Sequence, residues 1–232
     1  MTYLLAEVVV TPTTSAIIPP FTSKVGKSLV LSRKVTISPL RVGNTYLVRY
    51  STVPYFMEVE AGKEYSFDVG GDYYDVIDAL KGLERKKVFN TVWEVVDVKL
   101  REVEFEFKDK IKVSVRTPAL IADPLKKSKK KRFTNLFAFV FAVNFMDHLG
   151  LTREEFRGLI LEVEGKVREE PSKVWYETVI YAGKKVVGLV GELRYTLLEE
   201  DERVKGALEN AIAKGIGSSR RNGFGRVTVE SE

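Results

Sequence analysis

Residues 215–226 read G-I-G-S-S-R-R-N-G-F-G-R. Four glycines, two serines and three arginines sit between a segment with helical spacing and a short strand-like run. Glycine lets backbone approach a ligand closely and leaves N–H groups uncovered. Successive N–H groups in such a loop form an anion-binding concavity. Arginine adds bidentate phosphate recognition and stacks on bases. A purely structural reading is a helix C-cap followed by a turn, and Gly215 fits it. That reading does not explain Arg220 and Arg221, which have no acid near them in the sequence.

Nucleotide-binding fingerprints fit poorly. The dinucleotide motif needs a third glycine at position 220, which is Arg220, and it runs strand–loop–helix, the reverse of the order here. Gly26-Lys27-Ser28 looks like the end of a P-loop, but the first glycine of that motif would fall at 21, which is Phe21.

Outward from the loop, the chain alternates strands and helices. The acidic run Glu199–Glu202 opens the helix before it, where carboxylates meet the positive dipole end, and Arg226–Glu230 forms the last strand. Residues 3–11 read as a strand. Thr22 or Ser23 caps a short helix reaching about Leu31. Strand-like runs lie near 35–40, 45–52 and 62–69, with Gly70-Gly71 as a turn. Residues 73–83 carry Val76, Ile77 and Leu80 at helical spacing, and 87–107 alternate as strands. Further strands are expected at 111–118, 161–169, 174–182 and 185–196, a loop at 126–131, and helices at 133–149 and 152–160. This is an α+β rhythm of two antiparallel sheets backed by helices. The 232 residues suffice for two domains of roughly 100 residues each.

Charge is segregated. Residues 8–57 carry Lys24, Lys27, Arg33, Lys34, Arg41 and Arg49 and no acid. Residues 124–146 carry Lys126, Lys127, Lys129, Lys130, Lys131 and Arg132 and no acid. Residues 210–229 add Lys214, Arg220, Arg221 and Arg226, again without an acid. The formal net charge of +5 therefore hides a basic face on an acidic body, the footprint of a polyanion partner. The lysine run 126–132 is expected to track phosphate backbone; a solvated linker is the equal alternative.

Several classes are excluded or disfavoured. There is no cysteine, hence no disulfide scaffold and no thiolate chemistry. Metal-ligand spacing is absent, so no metal or cofactor is expected. No apolar run approaches the ~20 residues of a membrane span, and the N-terminus lacks the features of a signal peptide, so a cytoplasmic protein without membrane contact is expected. The absence of glutamine and the 30% charged residues suggest a thermophilic source. Trp93 and Trp175 could stack on bases, but tryptophan in a strand is usually core.

The glycine loop 215–226 resembles the C-terminal glycine-rich loop of the CRISPR repeat-processing endoribonucleases, the Cas-six family of the RAMP superfamily. Two further stretches agree. Residues 17–29, I-I-P-P-F-T-S-K-V-G-K-S-L, resemble the proline-then-basic-helix opening of a histidine-poor branch, and R-T-P-A-L-I at 116–121 resembles the start of the family's second domain. The resemblance implies two tandem ferredoxin-like domains, here 1–108 and 109–232, with CRISPR repeat RNA in a basic cleft. It also implies cleavage without metal, by attack of the 2′-hydroxyl on the adjacent phosphate. The expected partners are repeat RNA and a CRISPR effector complex, and the expected state is a monomer or homodimer.

Such cleavage requires a base for the 2′-hydroxyl, stabilisation of the phosphorane and an acid for the 5′-oxygen. Histidine is the usual shuttle. The chain has only His148, at the end of an apolar helix, where a lone histidine is more often a helix-end cation or a core residue. Lysines are the remaining candidates. Lys24 and Lys27, three apart, share a helix face with Ser28, and their proximity lowers one pKa. Lys34 is the third candidate, beside Arg33. Gly217, Ser218, Ser219, Arg220 and Arg221, with the lysine run, are the expected RNA contacts. Simple phosphate contact by Lys24 and Lys27, in a non-catalytic RNA-binding subunit of a CRISPR ribonucleoprotein, is the alternative.

Overall fold

The computed structural model describes residues 2–126 and 134–231. The first unit runs β1 (Tyr3–Pro12), β2 (Ala16–Ile18), α1 (Lys24–Leu29), β3 (Thr36–Ile37), β4 (Arg41–Val42), β5 (Thr45–Tyr46) and β6 (Met57–Val59). It continues through β7 (Tyr65–Asp72), α2 (Tyr73–Lys81), β8 (Lys86–Val88) and β9 (Thr91–Val103). The second runs β10 (Lys110–Ala119), α3 (Phe137–Val140), α4 (Ala142–Leu149), α5 (Arg153–Glu164), β11 (Val167–Tyr181), β12 (Lys184–Leu197), α6 (Glu202–Lys214) and β13 (Val227–Ser231).

Both sheets are antiparallel and follow one plan. The second has the order β11-β12-β10-β13, the arrangement of a ferredoxin-like βαββαβ unit. The first repeats it as β7-β1-β9, with the outer strand broken into the short β3 and β4 beside β7. Alternation drives the layering. Leu4, Ala6, Val8 and Val10 of β1 face the core with Val25, Leu29 and Val76 from the helices. Tyr3 and Leu5 point the other way and pack with Val103 and with Ala213 of α6, so β1 is covered on both sides. The second core gathers Phe137, Phe141, Phe145, Phe156 and Tyr195 between its helices and sheet.

Several expected boundaries shift. Gly70 and Gly71 are not a turn but the end of β7, paired with Leu5 and Leu4. Their glycine character has a packing cause: a Cβ on Gly70 would stand 1.7 Å from the Ala213 carbonyl oxygen of α6. The strands expected at 161–169 and 174–182 merge into β11, with a register shift between Glu170 and Lys173. Helix α5 extends to Glu164, because the Thr152–Glu155 capping box starts it and Phe156, Ile160 and Val163 hold it to the core. The long apolar helix breaks at Phe141 into α3 and α4. Among the described residues, no helix is long and apolar enough to cross a membrane.

Candidate nucleic-acid interface

Helix α1 starts without a side-chain cap because its N-terminal hydroxyls are used elsewhere. Ser23 precedes it without a capping bond and donates its hydroxyl instead to the Asn222 carbonyl at 2.7 Å. Thr22 donates to the Leu47 carbonyl at 3.0 Å and accepts from the Leu40 amide at 2.8 Å. The helix is thereby tied to the glycine loop.

The loop is itself a docking element. Phe224 stacks on Phe21 at 4.5 Å between centroids and meets Tyr181 edge-on at 5.3 Å. The Ile216 amide donates to Gly225, Gly225 to Pro118, and Ser218 to Leu120. A Cβ on Gly217 would stand 2.8 Å from the Leu120 carbonyl oxygen, and one on Gly225 would stand 2.0 Å from that of Ile216. Both glycines also have positive φ. They are required for backbone-on-backbone packing, which accounts for both glycines without a ligand. Arg226 is buried, donates to the Ala213 carbonyl at 2.8 Å and lies 3.8 Å from Asp68 of the first sheet.

Where the loop meets α1, a cleft of about 920 Å³ opens. It brings together Lys27, Arg33, Lys34, Gly217, Ser218, Ser219, Arg220 and Arg221, eight of the sequence candidates. Lys27 donates to Asn222 Oδ1 at 2.5 Å. Its pKa is lowered from the usual lysine value, first by desolvation against the loop, then by Arg221 and Lys24. Lys34 pairs with Asp75 at 3.3 Å.

Other candidates stand differently. Lys24 does not line the cleft: its ammonium lies 5.2 Å from the centre of the Phe89 ring, and its charge acts on Lys27 through its field. Ser28 is half-buried on α1 and does not line the cleft. Arg220 has an acid after all, because folding brings Asp147 to 2.7 Å; it also bonds Asn210 at 3.1 Å. Lys214 bridges Asp72 at 3.0 Å and Asp147 at 3.5 Å, and these cations hold the Asp147 carboxyl below its usual value against the raising effect of its burial. Among the described residues, Arg33 and Arg221 have no acidic partner within ion-pair distance. Lys126 is exposed and its carbonyl accepts from Arg153, while Lys127, Lys129, Lys130, Lys131 and Arg132 lie outside the described residues.

His148 lies in the last turn of α4, outside the cleft lining. Its Nδ1 is 2.9 Å from the Tyr3 hydroxyl, and its ring fills the space over Gly206, where a Cβ would stand 2.0 Å from Nε2. Burial lowers its pKa. Among the described residues, no three carboxylate, histidine or cysteine side chains converge as a metal site. Sequence reasoning missed Asn222 and Asp147. Asn222 had one available signal, its place inside the loop beside the arginines.

Two ferredoxin-like units, with a glycine-rich loop of the second docked on the first helix of the first, make up the fold that positions the cleft. Residues 4–103 match the Cas6 N-terminal domain, in agreement with the family resemblance drawn from the sequence. Solved structures share the fold along the whole chain. A Cas6-related protein of Pyrococcus furiosus superposes with a TM-score of 0.62 at 16% identity, with 99% of each chain covered. A RAMP protein described as binding different RNA substrates gives 0.63 at 15%, covering 98% of this chain and 100% of its own. Cas6 of Thermus thermophilus gives 0.61 at 14%, covering 99% and 98%. No curated protein matches the chain in sequence.

Proposed function

We propose that this protein binds CRISPR repeat RNA across the α1–glycine-loop cleft and cuts it without metal, by 2′-hydroxyl attack, to release guide RNAs. The observation that carries the proposal is Lys27: an amine of lowered pKa, held by Asn222, beside Arg221 in a basic cleft. Relatives of the same fold described as Cas6 product and substrate-mimic complexes support the substrate class.

In this scheme neutral Lys27 takes the 2′-hydroxyl proton as the 2′-oxygen attacks phosphorus. Arg221 stabilises the charge gathering on the phosphorane oxygens. Lys34 gives a proton to the departing 5′-oxygen. The products are a 2′,3′-cyclic phosphate and a 5′-hydroxyl. Lys24 contributes only its charge, which favours the neutral form of Lys27. General acid–base catalysis of this kind contributes about 10²–10⁴-fold, so a slow enzyme is expected. Residues 1–108 and 109–232 act as two domains that close on the RNA, in the cytoplasm, as monomer or homodimer. Delivery of the product into an effector complex is part of the proposal.

Labelled repeat RNA incubated in EDTA tests it. A discrete cut leaving a 5′-hydroxyl supports the scheme. Loss of cutting in EDTA removes the lysine mechanism. Tight binding with no cut under any condition favours the non-catalytic subunit, a reading to which the placement of His148 outside the cleft lends weight.

A further inference from the structure

Away from the cleft, the two tryptophans have opposite fates. Trp93 is fully buried, whereas Trp175, on the outer face of β11, is 53% exposed. The expectation that a strand tryptophan is core holds for the first and fails for the second. Trp175 is nonetheless fixed. Its indole N–H donates to Glu177 Oε1 at 3.0 Å. The backbone of Gly191 lies beneath the ring, so close that a Cβ there would stand 2.9 Å from Cζ3. One ring edge is pinned, one face is supported, and the residue is more than half exposed.

A second exposed ring, Tyr50, is carried by the segment that bonds to β11. The Ser51 amide donates to the Thr178 carbonyl at 2.8 Å, so the segment around Tyr50 runs along the outer edge of β11. Tyr50 is 41% exposed and lies within the fields of Glu177 and Arg116. Arg116 also lines a cleft of about 440 Å³ between the two sheets. Next to Tyr50, the Arg49 guanidinium sits 4.1 Å from the Tyr55 ring centre.

We propose that Trp175 and Tyr50 form a stacking platform for unpaired nucleobases of the bound RNA, with Arg49 and Arg116 meeting the flanking phosphates. The proposal rests on the RNA-binding reading above and adds a second contact region to it. Supported aromatic faces flanked by guanidinium groups suit single-stranded nucleic acid, because every base offers a π-face and every linkage a negative charge. An acid-free stretch, residues 8–57, contributes Arg49, Tyr50 and Tyr55 to this surface. The contact is sequence-tolerant and orders strand that is not paired in a hairpin.

The fold supplies its own probe, since Trp175 and Trp93 are the two tryptophans of the chain. A short unstructured oligoadenylate with a terminal dye is titrated into the protein, reading dye anisotropy and tryptophan emission together. Emission is expected to fall along the anisotropy isotherm. In Trp175→Phe the remaining emission is expected to stay constant, and Trp175→Ala is expected to weaken binding roughly 5- to 100-fold. Saturating anisotropy with unchanged emission overturns the platform, leaves RNA binding intact and turns the surface into a candidate protein contact. No anisotropy change with either oligoadenylate or repeat RNA overturns the RNA-binding reading and the platform with it.

Discussion

Arg220 and Arg221 are adjacent in the loop, and their separate replacement by alanine should give opposite phenotypes. Arg220 has a side chain only 12% exposed and bonds Asp147 at 2.7 Å and Asn210 at 3.1 Å. A hydrogen bond to a charged group contributes about 1.5–3 kcal/mol. The loss is limited here, because Asp147 is partly solvated and keeps Lys214, and Asn210 Oδ1 still accepts from Asn144 at 2.8 Å. Arg220→Ala should therefore cost about 2 kcal/mol, or roughly 4–8 °C in Tm at this chain length. Arg221 is exposed and has no acidic partner among the described residues, so Arg221→Ala should change stability by less than ~0.5 kcal/mol. It should instead lower the slope of log K against log salt for repeat RNA by about 0.7, one phosphate contact on a single strand. Urea unfolding and RNA titrations at several salt concentrations measure both. An Arg220→Ala variant with an unchanged unfolding midpoint and a reduced salt slope would refute the assignment and return Arg220 to the RNA.

Two further outcomes follow from the pKa shifts. Burial pushes the Glu164 carboxyl up to about 7, with Glu169 adding to the rise, while both carboxylates accept amides at the start of α3. The folded value lies above the unfolded one, so this contribution is complete below about pH 4.3 and is lost as pH rises through 7. Unfolding free energy should fall across that window in the wild type and flatten in Glu164→Gln, which keeps an acceptor for Ala138; parallel curves would count against the pair. Asn222→Asp places a carboxylate against the Lys27 ammonium and should raise its pKa, moving the midpoint of the pH–cleavage curve upward. An unmoved midpoint would mean that Lys27 is not the titrating group.

Much of the fold was legible because it is written locally. Alternation marked β1, β9 and β10, and the spacing of Val76, Ile77 and Leu80 marked α2. The glycine loop was placed correctly between a helix and the last strand. Gly70-Gly71 misled because a glycine pair can mean a turn or a close approach, and only the arrival of Ala213, far along the chain, tells which. Arg220 misled for a similar reason: its acid is Asp147, 73 residues away. Lys24 and Lys27 both lie on the six-residue α1, but their side chains reach different neighbours, Phe89 and Asn222, which helix spacing alone does not show. Trp175 lies on a strand face that stays open because Gly191 lets the ring rest on backbone.

Lys27 is proposed to act chemically and not merely to hold phosphate. Wild type and Lys27→Ala should be compared on one labelled repeat RNA, with binding and single-turnover cleavage measured in the same buffer. Affinity should be near-equal, and the cleavage rate should be lower by about 10²-fold or more in the variant. Cleavage at the wild-type rate, or a loss of cutting fully restored by raising RNA concentration, would contradict that role and reduce Lys27 to a phosphate contact.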